Sequence, residues 1–176
     1  MAETWPLDAV DARIKVVGEA KVASGAHEGS LVLDGLSVIE LKDSAALNGD
    51  GGGFTFSVWF NPYALKGGQQ VIAGKNRYSL NERQWSLTVE SDGKLKAYVQ
   101  QGGWATITST KALQAGHWHL ATLTVEAGKA ALFLNGKSAG EVVLKKPLPA
   151  TKAPITLGGI FDSGGPRQPF HGALQR

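Results

Sequence analysis

Gln84-Trp85-Ser86-Leu87-Thr88-Val89-Glu90-Ser91-Asp92-Gly93-Lys94-Leu95-Lys96-Ala97-Tyr98-Val99-Gln100-Gln101-Gly102-Gly103-Trp104-Ala105-Thr106-Ile107-Thr108-Ser109 decides the fold class. Polar and apolar side chains alternate with period two, the signature of strands with one buried face. Leu95, Ala97 and Val99 share one face, while Lys96, Tyr98 and Gln100 share the other. Ala105 and Ile107 likewise oppose Trp104, Thr106 and Thr108. Two turns punctuate the run. Ser91-Asp92-Gly93-Lys94 is a hairpin signal, because Asp-Gly tolerates the backbone twist that tightly linked antiparallel strands require. Gln101-Gly102-Gly103 is a second turn. The outward set mixes polar and aromatic side chains, and a wet face carrying Tyr and Trp suits a sugar or a peptide.

The same grammar extends along the chain. Glu126-Ala127-Gly128-Lys129 and Asn135-Gly136 are further hairpin signals. Strands are expected over 30–33, 38–41, 54–60, 70–75, 84–90, 94–100, 104–109, 117–125, 129–134, 139–144, 155–158 and 170–174, with 13–22 as another. About a dozen short strands with frequent turns imply an antiparallel sandwich or barrel. Helix signal is confined to Asp43-Ser44-Ala45-Ala46-Leu47, one turn capped by Asp43 or Ser44. No linker, low-complexity segment or repeat is visible, so residues 1–176 read as one domain.

Composition agrees. A chain of 176 residues can bury roughly 70% of its unfolded surface. It has no cysteine, which excludes disulfides, a thiol nucleophile and a thiolate metal site. Its 18 basic and 15 acidic residues are interspersed, giving a formal charge of +3. That is a mixed-charge surface and no nucleic-acid footprint. Lys145-Lys146 is the one adjacent basic pair, in a loop before Pro147. No apolar run is long enough to span a membrane, and Met1–Trp5 carries no signal region.

Five segments resemble, in order, motifs of laminin-G-like domains of the concanavalin A-like lectin/glucanase class. They are Ser30-Leu31-Val32-Leu33-Asp34-Gly35, Phe54-Thr55-Phe56-Ser57-Val58-Trp59-Phe60, Gly116-His117-Trp118-His119-Leu120-Ala121, Ala131-Leu132-Phe133-Leu134-Asn135-Gly136-Lys137 and Phe170-His171-Gly172-Ala173-Leu174. Together they cover roughly residues 30 to 174. The resemblance implies an all-β fold, an antiparallel two-sheet jelly-roll sandwich, binding ligands on a concave face or at rim loops. It implies packing roles for Trp59 and Trp118. The missing signal region leaves two settings, cytoplasmic, or secreted, periplasmic or cell-surface with the signal removed, and the resemblance favours the second. Gln175-Arg176 replaces the acidic residue usual after the closing motif. The family continues into one more strand, so a truncated C-terminal edge is expected. Calcium occurs in relatives, held by loop carboxylates. Asp34, Asp50 and Asp162 are the candidates here, although Asp and Gly are also ordinary turn residues.

Gly74 to Trp85 reads as the loop richest in recognition chemistry. Sugars present apolar ring faces and paired hydroxyls; aromatic rings cover the first, and amides, guanidinium groups and carboxylates bind the second. A glycan site would use Asn76, Arg77, Tyr78, Asn81, Glu82 and Arg83, supported by Gln100 and Trp104. The alternative is a polar loop with surface ion pairs and Trp85 in the core. His117 and His119 would share a strand face and offer two metal ligands, with no third evident.

Catalysis of the glucanase type needs two carboxyl groups about 5–5.5 Å apart. Glucanases of this class carry them on one strand as Glu-x-Asp-x-(x)-Glu; the nearest approach here is Glu90-Ser91-Asp92, in a turn and without the following glutamate. The reading is therefore a non-catalytic carbohydrate-binding module for an oligo- or polysaccharide, accessory to an adjacent catalytic domain. A protein-interaction or structural module packing on a neighbouring domain is the alternative, and a glucanase-type hydrolase is the third.

Overall fold

Alternating stretches become paired strands among the described residues. The structure is a computed structural model describing residues 14–18, 21–23, 30–42, 44, 47–49, 52–65 and 67–175. The strands are β1 (Ile14–Val17), β2 (Lys21–Ala23), β3 (Ser30–Asp34), β4 (Val38–Leu41), β5 (Phe54–Pro62), β6 (Gln70–Arg77), β7 (Glu82–Val89) and β8 (Lys94–Gln100). They continue as β9 (Trp104–Ala112), β10 (His119–Glu126), β11 (Lys129–Leu134), β12 (Lys137–Val143), β13 (Ile155–Leu157), β14 (Ile160–Asp162), β15 (Gly165–Arg167) and β16 (His171–Gln175). The first sheet runs β1-β4-β13-β6-β7-β8-β9, and the second β12-β11-β10-β5-β16-β3-β2. β14 and β15 form a small ribbon that packs on β6. All pairings are antiparallel, which makes this the all-β two-sheet jelly roll that the alternation and the motifs imply.

The inward faces meet in one apolar core. Leu95, Ala97 and Val99 from β8 join Ala105 and Ile107 from β9, facing Val58, Phe60, Ala121, Leu123 and Leu132 of the other sheet. Trp85 is buried among them, with the rings of Phe54 and Phe56 at 5.4 and 4.8 Å from its own. Rings at such separations add about 0.5–1.5 kcal/mol per pair beyond their buried area.

Three expectations are corrected here. Trp59 does not pack inside: β5 turns Val58 and Phe60 inward, so Trp59 lies on the outer face, 39% exposed. The strand expected over 13–22 is two strands, and β1 and β2 belong to different sheets. Gly18 separates them with φ of +97°, and a Cβ there would meet Ser37 Oγ at 2.9 Å, so the strand must break at this point. The stretch from Gly74 to Trp85 is mostly not loop. It is the end of β6, a single 3-10 turn at Tyr78–Leu80, and the start of β7.

β16 is paired on both sides, with β5 and β3, while the edges of its sheet are β12 and β2. Trp5 and Asp50 lie outside the described residues, as do all but Ser44 and Leu47 of the expected helical turn. The Leu47 N–H donates to the Ser44 carbonyl at 3.0 Å. Among the described residues no helix is long and apolar enough to cross a membrane.

Candidate binding cleft

The β6–β7 and β8–β9 hairpins turn at the same end of the first sheet. A third segment, residues 144–154 between β12 and β13, crosses there as a strap. Between them opens a cleft of about 750 Å³, lined by Asn48, Asn81, Glu82, Arg83, Gln100, Gly102, Pro149, Ala150, Thr151 and Lys152. Four of the eight expected binding residues therefore share one cleft: Asn81, Glu82, Arg83 and Gln100.

Each is held by its neighbours. Asn81 takes the left-handed conformation with φ of 55° that ends the 3-10 turn, and its N–H donates to the Tyr78 carbonyl at 3.0 Å. Arg83 Nη1 donates to Asn81 Oδ1 at 2.8 Å, and the guanidinium lies 5.2 Å from the centre of the Tyr78 ring. One N–H and one π-face are thus engaged, leaving the remaining donors of the fork for a ligand. Glu82 Oε2 accepts from Thr151 Oγ1 at 3.3 Å. Gln100 Oε1 is buried without a hydrogen-bond partner. Burial pushes the Tyr78 phenol above its usual value, with the Arg83 charge opposing, so the ring carries its proton at neutral pH.

Trp104 flanks the cleft. It pairs with Gln100 across β8 and β9 and is 38% exposed. Its ring meets Tyr98 edge-on, 5.9 Å away at 80°. Tyr98 lies in a transverse row of outward positions, Glu40-Thr156-Gly74-Ser86-Tyr98-Thr106, that crosses six strands.

Two expected binding residues are placed elsewhere. Asn76 is buried, its Nδ2 donating to the Trp85 carbonyl at 2.8 Å and to Ser86 Oγ, and its Oδ1 accepting from the Gln84 N–H at 3.0 Å. It bridges the bulged β6–β7 pairing and has no face left for a ligand. Arg77 pairs with Glu40 at 3.6 Å and is not part of the cleft.

Asp34 and Asp162, the described metal candidates, each bond backbone N–H groups. Among the described residues no three His, Asp or Glu side chains gather as a metal site. Asp34 Oδ1 accepts from the N–H groups of Leu36 and Ser37 at 2.8 and 3.0 Å, the first of which holds its carboxyl below the usual range. Asp162 Oδ1 accepts from the Ser79 N–H at 2.9 Å, and hydrogen bonding by the Ser79 side chain and backbone lowers its pKa. His117 and His119 do not share a strand face. His117 precedes β10 and turns to the Ala115 carbonyl, while buried His119 contacts Gln114 and Asn135. Glu90 Oε1 accepts from Gln69, Thr88 and Tyr98, and Asp92 pairs with Lys94 at 3.2 Å, so both carboxylates serve the fold.

Sequence reading missed the strap. Buried Gln84 donates to Asn48 Oδ1 at 3.2 Å and to the Pro149 carbonyl at 2.8 Å, and the Thr151 N–H donates to Asn48 Oδ1 at 3.0 Å. These bonds pin the strap over β7. The signal was three prolines, Pro147, Pro149 and Pro154, interspersed with three lysines, a pattern of fixed φ without strand periodicity.

The model of the concanavalin A-like lectin/glucanases superfamily matches residues 34–176. The chain belongs to that superfamily. No curated protein matches the sequence. Solved structures resemble this concanavalin A-like domain at low identity. One is domain 4 of AbnA, a GH43 extracellular arabinanase from Geobacillus stearothermophilus, in complex with arabinotriose. It has a TM-score of 0.70 and 19% identity, over 92% of this chain and 79% of that one. Another is the CBM40 of the Ruminococcus gnavus IT-sialidase, bound to α2,3-sialyllactose, with TM-score 0.59 and 15% identity over 70% and 74%. A third is the binding domain of Paraclostridial Mosquitocidal Protein 1, with TM-score 0.67 and 16% identity. The match covers 92% of this chain but only 42% of that one. At these identities the likeness is one of fold.

Proposed function

We propose that this domain is a non-catalytic carbohydrate-binding module that holds an oligo- or polysaccharide in the cleft between the two hairpin tips and the strap. The observation that carries this reading is the polar constellation there. A pre-oriented guanidinium, an amide oxygen at Gln100 without a partner and a carboxylate converge beside the half-exposed Trp104 ring. Leaving a buried acceptor unsatisfied costs about 1–3 kcal/mol, and a ligand hydroxyl would relieve it. The ring offers the flat apolar surface that a pyranose or furanose face covers. Glu82 is the one acidic side chain among the described residues lining the cleft. Acid–nucleophile chemistry needs a second carboxyl, so binding without hydrolysis fits best. Similarity to arabinanase domain 4 supports an accessory role beside a polysaccharide-degrading domain, in a secreted or cell-surface setting.

Affinity electrophoresis through plant, algal and fructan polysaccharides tests the reading. At least one polymer should retard the domain and shift its tryptophan fluorescence, and Trp104→Ala should weaken that retardation about tenfold, as loss of a stacked ring predicts. Migration unchanged in every polymer, with fluorescence unmoved, would refute it.

A second reading, packing against a neighbouring domain, is favoured by Trp59. Its exposed ring lies opposite Leu120 on the outer face of the second sheet. Loss of co-elution with the neighbouring domain in a Trp59→Ser variant would support that contact.

A further inference from the structure

The strap has a fixed inside and a charged outside. Leu144, Leu148, Thr151 and Ala153 are buried. Lys145, Lys146 and Lys152 are exposed. The inside is anchored at three points. Gln84 holds the Pro149 carbonyl, Asn48 holds the Thr151 N–H, and the buried Lys75 ammonium donates to the Ala153 carbonyl at 2.6 Å. With Pro147, Pro149 and Pro154 fixing the backbone, the exposed lysines are presented from a preorganised ridge.

Lys152 lines the cleft directly. Lys146 Nζ lies 3.5 Å from where a Cβ would stand on Gly102, a residue of the cleft wall. Neither forms an ion pair with a described residue. Arg83 adds a third positive charge from the opposite wall. Against these stands one carboxylate, Glu82, already accepting from Thr151.

On the reading that the cleft binds a saccharide, we propose that the saccharide is anionic, carrying carboxylate or sulfate groups. A neutral sugar would leave Arg83 and Lys152 facing the ligand, and Lys146 close by at Gly102, against the single carboxylate of Glu82. An acidic sugar meets a rigid guanidinium fork on one wall, suited to two parallel charge-assisted hydrogen bonds, and the Lys152 ammonium on the other, with Lys146 in the adjoining pocket and close to Gly102.

The test compares polygalacturonate, a sulfated galactan and neutral arabinan by affinity electrophoresis and calorimetry at low and high salt, with polyglutamate as a polyanion that is not a sugar. At least one acidic polysaccharide should bind about tenfold more tightly than arabinan, with affinity falling as salt rises. The better of the two identifies the anionic group. Lys152→Gln and Lys146→Gln, both at exposed positions, should each reduce that affinity. Arg83→Lys should reduce carboxylate binding although charge is kept. Arabinan bound as tightly as the acidic polymers, or without salt dependence, would overturn the anionic preference and leave carbohydrate binding standing. Polyglutamate bound as tightly as the polysaccharides would also overturn it, because charge alone would then suffice. Binding to none of the polymers would overturn both readings.

Discussion

Two hairpin tips adopt the same backbone with different residues. Asn135-Gly136 joins β11 to β12 with φ of 53° and 74°, and Ala127-Gly128 joins β10 to β11 with 48° and 75°. The first residue of each sits in the left-handed region, which Asn tolerates and Ala does not: the crowding of Cβ against the carbonyl costs about 1 kcal/mol. The Asn135 tip is therefore the relaxed version of the Ala127 tip. Ala127→Asn should raise stability by about 0.5–1 kcal/mol, visible as a melting midpoint higher by roughly 1–4 °C in a domain of this size. Thermal unfolding checks it, and an unchanged or lower midpoint would contradict the presence of strain at Ala127. Residue-level reading of the sequence worked where chemistry is local. Asp92-Gly93 and Asn135-Gly136 declared their turns. It misassigned Asn76, whose amide has the chemistry of a sugar ligand but closes the bulge where β6 and β7 slip register.

At the scale of elements, the stretch from Gly74 to Trp85 shows why a strand can read as a loop. β6 and β7 are buried along most of their length on both faces, with the β14–β15 ribbon packed on β6 and Leu144 and Leu148 of the strap in the core between the sheets. Lys75, Asn76, Gln84, Ser86 and Thr88 are buried there with hydrogen-bond partners, and the apolar alternation disappears. The cleft was legible only as a set of residue types on one stretch. Its other wall, the strap, comes from some seventy residues further along, and no local pattern announces that meeting. The corner from β3 to β4 is a second device of this scale, since it carries the chain from one sheet to the other. Asp34 holds it through its bonds to the Leu36 and Ser37 N–H groups, and its carboxyl is lowered below the ordinary value of 3.8. A depressed carboxylate contributes stability above its unfolded pKa and loses that contribution as pH falls through its folded pKa. Asp34→Asn keeps an acceptor oxygen and removes the charge. The variant should be less stable than the parent at neutral pH, and the two should converge below about pH 3.5, under the carboxylate range. Urea midpoints measured across that range decide it; a constant gap down to about pH 2.5 would assign the corner's stability to something other than the charge.

At the scale of the molecule, sequence order and spatial order diverge most at the chain's last strand. The jelly roll could be anticipated from alternation and motif order, but the place of each strand within its sheet could not, because pairing of distant strands leaves no local trace. β16 lies between β5 and β3, joining an early strand to a middle one and completing the second sheet. Gly172 makes the fit possible: a Cβ there would fall 2.2 Å from the Asn61 carbonyl oxygen and 2.7 Å from the Phe170 ring. Phe170 and Leu174 are fully buried, and burying each contributes roughly 1.5–3 kcal/mol. Removing the strand also leaves β3 and β5 with unpaired edges over Leu31, Leu33, Trp59 and Phe60, an open template for aggregation. Typical domains are stable by only about 5–15 kcal/mol, so the sum of these losses is disabling. A chain ending at Pro169 should fail to give a cooperative melt and should expose apolar surface to a hydrophobic dye. A synthetic peptide covering residues 168–176, added in trans, should restore part of the transition by refilling the slot between β3 and β5. A chain lacking β16 that melts cooperatively at the parent's temperature would show that the second sheet closes without it, and that β16 does not hold β3 and β5 together.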